Sequence, residues 1–310
     1  MKPTNILSKL RLFRPFSALT AVFLLLSPTT PAQANERVFK DDTGREVRLA
    51  GPAKRIIALA PHIAESLYAA GAGDKLVGTV DYSDYPPAAK KVPRVGGYSR
   101  VDLEAVIALK PDLVLVWESG NNMTQADKLR ALGLTVYISQ PNRMEDVAGQ
   151  LERLGQLAGT ENVANAAAAN FRQRLAGLRQ ANADKPKVRT FYQIWKAPLM
   201  TVGGPQIISD AILLCGGENV FGHLPQMAPR ISIESVIETD PEAIIATGMG
   251  DAKPEWLHDW DKWTRMTAVK RNNLFHINPD IMQRHTPRIL DGAEKLCAHL
   301  DVARSRRPKK

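Results

Sequence analysis

The sequence predicts an α/β protein in which two parallel-sheet lobes are joined by one long backbone helix. Three observations predict it. Short apolar runs alternate with helical patterns before Pro141 and again after Lys187. Between these regions the strand pattern disappears. One helix–strand unit also recurs: Leu103-Glu104-Ala105-Val106-Ile107 leads through Pro111 to Leu113-Val114, and Ile233-Glu234-Ser235-Val236-Ile237 leads through Pro241 to Ala243-Ile244-Ile245, at an offset of 130 throughout (233 less 103, 241 less 111). That order is what a duplication would leave, with a chance match of short apolar patterns as the alternative.

The first lobe is expected over residues 35–141. Ile56–Ala60 is an apolar run with basic residues before it and Pro61 after it, a strand ending at a loop. Ile63, Leu67 and Ala70 then follow a helical period that stops at Gly71-Ala72-Gly73. Leu76–Val80 is the next strand. Val101–Leu109 is an amphipathic helix stopped by Pro111, and Leu113–Trp117 is apolar throughout, as a strand covered on both faces should be. Gln125–Leu132 is a helix ending at Gly133, and Thr135–Ile138 a further strand.

Residues 142–186 are the helical linker region. No proline falls between Met144 and Asn182, and Gly159-Thr160 marks a helix stop followed by a new N-cap. Glu161 to Asn182 should then form one helix about 33 Å long. The second lobe, 187–301, resumes the alternation at Arg189–Ile194, Ile207–Leu214, Ile233–Ile237, Ala243–Ala246, Leu274–Ile277 and Pro287–Leu300. A second echo pairs Gly73-Asp74 and Gly78 with Gly217-Glu218 and Gly222, at an offset of 144 (217 less 73). Two Rossmann-like lobes leave a cleft where the carboxyl ends of parallel strands meet, a usual place for a small ligand. A single rigid connection permits less closure than flexible strands would.

The net charge of +9 is not spread over this body. Residues 1–34 carry Lys2, Lys9, Arg11 and Arg14 without an acid, and 302–310 carry Arg304, Arg306, Arg307, Lys309 and Lys310 without one. Removing these nine from 41 basic residues leaves 32, against 32 acidic residues. A nucleic-acid binder needs a basic face in the body, so that class is excluded. The basic tail reads as a solvated end. The first 34 residues read as a cleavable export signal, with an apolar stretch from Ala18 to Leu26 and Ala32-Gln33-Ala34 as the cleavage signature. The stretch is too short to span a bilayer. In an oxidising compartment the two cysteines, Cys215 and Cys297, are expected to bridge, with two separate buried thiols as the alternative.

No nucleophile elbow, phosphate loop or zinc-binding helix motif is present, and no two histidines lie four apart. Neither catalysis nor a metal site is therefore expected. The candidates are contact residues at strand ends: Pro61 and His62; Tyr82, opening Tyr82-Ser83-Asp84-Tyr85-Pro86-Pro87; Tyr98; Trp117; Trp195; and Asp280, Ile281, Met282, Gln283 and Arg284. Aromatic groups with a few polar ones suit a large, flat, partly apolar ligand. His62 is read as orienting its loop rather than ligating a metal. Glu104 and Glu234 either favour their helix N-termini or present one acidic knob per lobe to a two-fold partner.

Four segments carry a resemblance: Tyr82 to Pro87, Ile107-Ala108-Leu109-Lys110-Pro111-Asp112-Leu113-Val114, Cys215-Gly216-Gly217-Glu218-Asn219, and Arg284 followed by Pro287-Arg288. Through them the chain, from about Arg55 to His299, resembles the periplasmic substrate-binding proteins of ABC importers that have a single helical backbone. It is most similar to their cobalamin-binding branch. The resemblance implies a monomeric periplasmic receptor, not an enzyme, that captures cobalamin or a related corrinoid as transported ligand rather than cofactor. It implies delivery to an inner-membrane ABC permease dimer, whose arginines would receive Glu104 and Glu234. It further implies a Cys215–Cys297 bridge and ligand contacts at Tyr82 and Asp280 through Arg284. The chain departs from that branch in carrying Tyr98 and Ala228 where tryptophans are expected and Gln283 where an acid is expected. Trp195 is a candidate replacement. Haem or a ferric siderophore on the same fold is the alternative ligand, and an exported enzyme the alternative class.

Overall fold

The computed structural model describes residues 1, 36–97, 99–248 and 254–309. The expected signal segment therefore lies outside the described residues. The body begins with an antiparallel hairpin that the sequence patterns did not predict, β1 (Arg37–Lys40) and β2 (Glu46–Leu49). The first parallel sheet follows: β3 (Ile56–Ala58), α1 (Pro61–Ala69), β4 (Leu76–Thr79), α2 (Leu103–Ala108), β5 (Leu113–Trp117), α3 (Met123–Ala131) and β6 (Val136–Ser139). Its strand order is β4-β3-β5-β6. Helices α4 (Met144–Ala158) and α5 (Glu161–Asn182) come next.

The second sheet uses β7 (Val188–Trp195), β8 (Met200–Thr201), α6 (Ile207–Leu214), β9 (Gly217–Asn219), α7 (Ile233–Thr239), β10 (Ala243–Ala246), α8 (Thr267–Lys270), β11 (Leu274–His276), α9 (Pro279–Met282) and α10 (Ile289–Ser305). Parallel pairing runs β9-β7-β10-β11, and β8 adds antiparallel to the end of β7. The two lobes thus repeat one topology, with β4, β3, β5 and β6 matched by β9, β7, β10 and β11.

The alternation of side chains explains the continuous apolar runs. Ile56, Ala58, Leu113 and Leu115 face a core shared with α4 and α5, whereas Ile57, Val114 and Val116 pack under α2 and α3. In the second lobe Tyr192 and Ile245 enter the shared core, and Phe191, Ile244 and Ala246 meet Trp260 on the other face. Helix α5 lays Ala164, Ala168, Phe171 and Leu175 along one buried stripe. The small residues let α4 come close: a Cβ on Gly155 would stand 2.3 Å from that of Ala164. Helix α5 touches α1 of the first lobe and α6 and α10 of the second, so the backbone helix is also the seam of the core.

The repeat extends beyond hydrophobic pattern. Lys110 and Asp240, each just before a proline, both adopt left-handed backbone, with φ of 47° and 39°. Arg55 donates to the carbonyls of Leu109 and Lys110, and Arg189 to those of Thr239 and Asp240, the same positions 130 residues on. The echo at offset 144 has no such counterpart. Gly78 lies inside β4 while Gly222 lies beyond β9, so that match is a coincidence of spacing.

Two expectations need correction. Helix α10 starts at Ile289 rather than Pro287 and runs on to Ser305. The basic end is accordingly not a free solvated tail. Arg304 donates to the carbonyls of Pro186, Cys215 and Gly216, Arg306 to that of Asn272, and Arg307 pairs with Glu242. These arginines tie the end of the chain to loop carbonyls and to a carboxylate of the second lobe.

Candidate functional site

The loops after β3, β4 and β5 in the first lobe meet the segment after β11 in the second. Pro61 and His62 do not form the expected loop; they open α1, with proline in the first helical turn, where its missing N–H is no loss. Asn278 caps the short helix α9 by accepting from the Asp280 amide at 2.7 Å.

Two arginines cross between the lobes. Arg284 Nη1 lies 2.7 Å from Asp84 Oδ1, and its Nη2 lies 2.9 Å from Asp280 Oδ1. Arg288 grips Glu65 through Nε and Nη2, at 2.7 and 2.6 Å. Its guanidinium carbon also stands 3.6 Å from the centre of the Tyr85 ring, a cation–π stack. Glu65 lies on α1 and is 3% exposed. Partial burial pushes the Asp84 carboxyl up, but the hydrogen bond and charge of Arg284 overcome this and hold it below its ordinary value.

Beneath these pairs lies an aromatic floor. The His62 and His285 rings are 5.2 Å apart, and Trp117 meets both edge-on at 5.0 and 5.6 Å. Burial pushes His62 well below its ordinary value, with the charges facing it from His285 and Arg284 adding to the effect. Burial alone lowers His285 to about 4. Both imidazoles are therefore neutral near pH 7. His62 Nε2, His285 Nδ1 and Trp117 Nε1 are buried without a hydrogen-bond partner among the described residues.

The rim is more open. Tyr82 is 67% exposed and holds a left-handed φ of 63°. A bulky residue there costs on the order of 1–3 kcal/mol unless its surroundings over-determine it. They do: the buried Ser83 hydroxyl meets Thr79 Oγ1 at 2.8 Å, and Arg94 donates to the Ser83 carbonyl at 2.8 Å. Trp195 is 41% exposed and donates its indole N–H to the Ala197 carbonyl. Gln283 donates to Thr247 Oγ1 at 2.6 Å, and Ile281 and Pro61 are half-buried. Met282 is a correction: it is fully buried in the shared core and offers no surface to a ligand. Tyr98 lies outside the described residues.

Glu104 and Glu234 are exposed second residues of α2 and α7, following the N-caps Asp102 and Ser232. The local amides and Ser232 hold the Glu234 carboxyl below its ordinary value. Cys215 and Cys297 are joined by a disulfide that ties α6 to α10. Among the described residues no group of histidine, cysteine or acidic side chains is arranged to hold a metal ion, and no helix is long and apolar enough to cross a membrane.

Sequence reasoning missed Glu65 as a site residue, although it is the sole acid in the apolar stretch from Ile56 to Ala72. Asp84, Tyr85 and Arg288 stand out in the sequence only as parts of motifs.

The model of the periplasmic binding protein family matches residues 56–281. The vitamin B12-binding protein of Vibrio cholerae is 39% identical over 253 residues, covering 81% of this chain and 91% of that protein. The crystal structure of the periplasmic vitamin B12-binding protein of the same species superposes with a TM-score of 0.76 at 37% identity, covering 82% of this chain and 98% of that one. A periplasmic haem-binding protein from Roseiflexus sp. RS-1 superposes at 0.70 with 21% identity, covering 81% of this chain and 99% of that one, which is a likeness of fold alone.

Proposed function

The chain belongs to the periplasmic binding protein family, and from that premise we propose that it captures cobalamin or a related corrinoid between its lobes and delivers it to an ABC importer. The family is one of binding proteins, not enzymes. The observation that carries the ligand class is the make-up of the cleft. Tyr82 and Trp195 are exposed at strand ends of the two lobes, and Arg284 pairs with Asp280 beside the neutral His62–His285–Trp117 cluster. A corrin ring is broad and apolar on its faces and hydrogen-bonding at its edge, and this arrangement matches both. The similarity to vitamin B12-binding proteins supports the same ligand.

Haem is the weaker reading. His62 and His285 are 4% and 2% exposed, so neither presents a ring nitrogen to an iron from outside. In this reading the first 34 residues direct export and are removed, and the protein works in the periplasm as a monomer. Glu104 and Glu234 then meet arginines on the two halves of the permease, which fixes the receptor's orientation rather than its affinity for ligand. The colour of the ligand-loaded protein tests the ligand class. Corrinoid bands support the proposal; a Soret band or a ferric charge-transfer band overturns it.

A further inference from the structure

The charge balance at the cleft edge has a consequence for selectivity. Arg284 and Arg288 stand among three carboxylates, Glu65, Asp84 and Asp280. Each guanidinium is engaged: Arg288 by Glu65 along its edge and Tyr85 on its face, Arg284 by Asp84 from one side and Asp280 from the other. The exposed Lys90 adds its field at Asp84, and the two floor imidazoles are neutral. Lys196, beside Trp195, is held by Asp259 at 2.7 Å. No surplus positive charge remains among these groups to receive an anion.

We propose that Asp84 sets the preference of this site for an uncharged, amide-rimmed ligand over an anionic one of the same size. It reaches across from the first lobe, occupies Arg284 and denies that guanidinium to a ligand carboxylate. An uncharged amide can hydrogen-bond beside the ion pair without contesting it, whereas a carboxylate must displace Asp84 or approach it as a like charge. The same balance disfavours carboxylated tetrapyrroles and anionic ferric chelates. The proposal rests on the corrinoid reading and adds to it a charge rule located at one residue.

The test compares cyanocobalamin with its derivative in which one peripheral amide is hydrolysed to a carboxylate, titrated into the purified protein at low and physiological salt. The unaltered protein should bind the acid at least ~10-fold more weakly than the amide, and added salt should narrow the gap. Asp84→Asn should shrink that ratio about tenfold or invert it. Asp84 is partly exposed and asparagine has its shape, so the variant should fold, as a melting curve checks; Asp280→Asn is a second variant that should move the ratio the same way. An unchanged ratio in both variants, with cyanocobalamin still bound, overturns the charge rule and leaves the corrinoid reading intact. Absence of cyanocobalamin binding by the unaltered protein overturns both.

Discussion

Arg288 closes on Glu65 through two hydrogen bonds, at 2.7 and 2.6 Å, although the residues lie 223 apart in sequence and on opposite lobes. The pair joins the first helix of one lobe to the threshold of the last helix of the other. Its geometry is bidentate and Glu65 is almost wholly buried, the conditions under which a charged pair fastens two elements tightly. Next to it, Arg284 and His285 make their own contacts with Asp84 and His62, so one short segment supplies all three of these contacts between the lobes.

Removing one partner of this pair should be expensive. Glu65→Gln leaves Arg288 stacked on Tyr85 without its counter-charge, and unfolding should become easier by about 3 kcal/mol, the low end for a buried pair because Arg288 retains some solvent. Replacing both partners by apolar residues, Glu65→Leu with Arg288→Met, should recover most of the loss. Urea midpoints of the three proteins check this, and equal midpoints for single and double variants would contradict it.

The Cys215–Cys297 disulfide spans 82 residues of chain. Closing a loop of that size stabilises by roughly 4 kcal/mol in the chain-entropy model. Reduction, or a double Cys→Ser change, should lower the urea midpoint accordingly. The change should appear in stability and leave the fold recognisable by circular dichroism, since α6 and α10 also pack through Ile212 and Leu300.

Acid should loosen the seam before it unfolds the rest. His62, His285 and His299 all titrate below their ordinary values, chiefly through burial. The unfolded chain therefore binds these protons more readily than the folded one, and stability rises with pH through that window. Their contribution is complete above about 6.5 and lost as pH falls towards about 4, where His285 protonates in place. For His285 alone the loss is on the order of 3 kcal/mol. Below that range the lowered carboxyls of Asp84, Glu242 and Asp301 add their own loss. Denaturant midpoints between pH 7 and 4 should show the slope, and His285→Gln should flatten it.

Reversing the charge at both Glu104 and Glu234 should leave corrinoid affinity unchanged and stop uptake in cells. Both side chains are exposed at helix starts and make no contact with the Arg284–Arg288 segment. Single reversals should reduce uptake partially. Transport surviving the double change would remove the docking role.

Much of this fold is legible because its elements are locally sufficient. Glu161–Asn182, Ile207–Leu214, Leu113–Trp117 and Ala243–Ala246 have the bounds that their periods and flanking Gly, Pro and polar residues predict. The β1–β2 hairpin and strands β8 and β9 escape that reading because none carries a continuous apolar run and each owes its conformation to a partner strand. The repeat at offset 130 is legible for the same reason as the helices: its N-caps, left-handed residues and prolines are local. The site divides similarly. Aromatic residues at strand ends can be picked out by position, and Tyr82, Trp117 and Trp195 occur there. Met282 follows the same positional rule yet packs inward, since position on a short helix does not reveal which face is covered. Glu65 is invisible as a site residue because its meaning depends on Arg288, and no local pattern links the two.

A calorimetric titration of the purified protein with cyanocobalamin decides the identity of the ligand. Saturable one-to-one binding tighter than about micromolar is the predicted result. No heat and no spectral change with cyanocobalamin, together with saturable binding of haem by the same preparation, would contradict it.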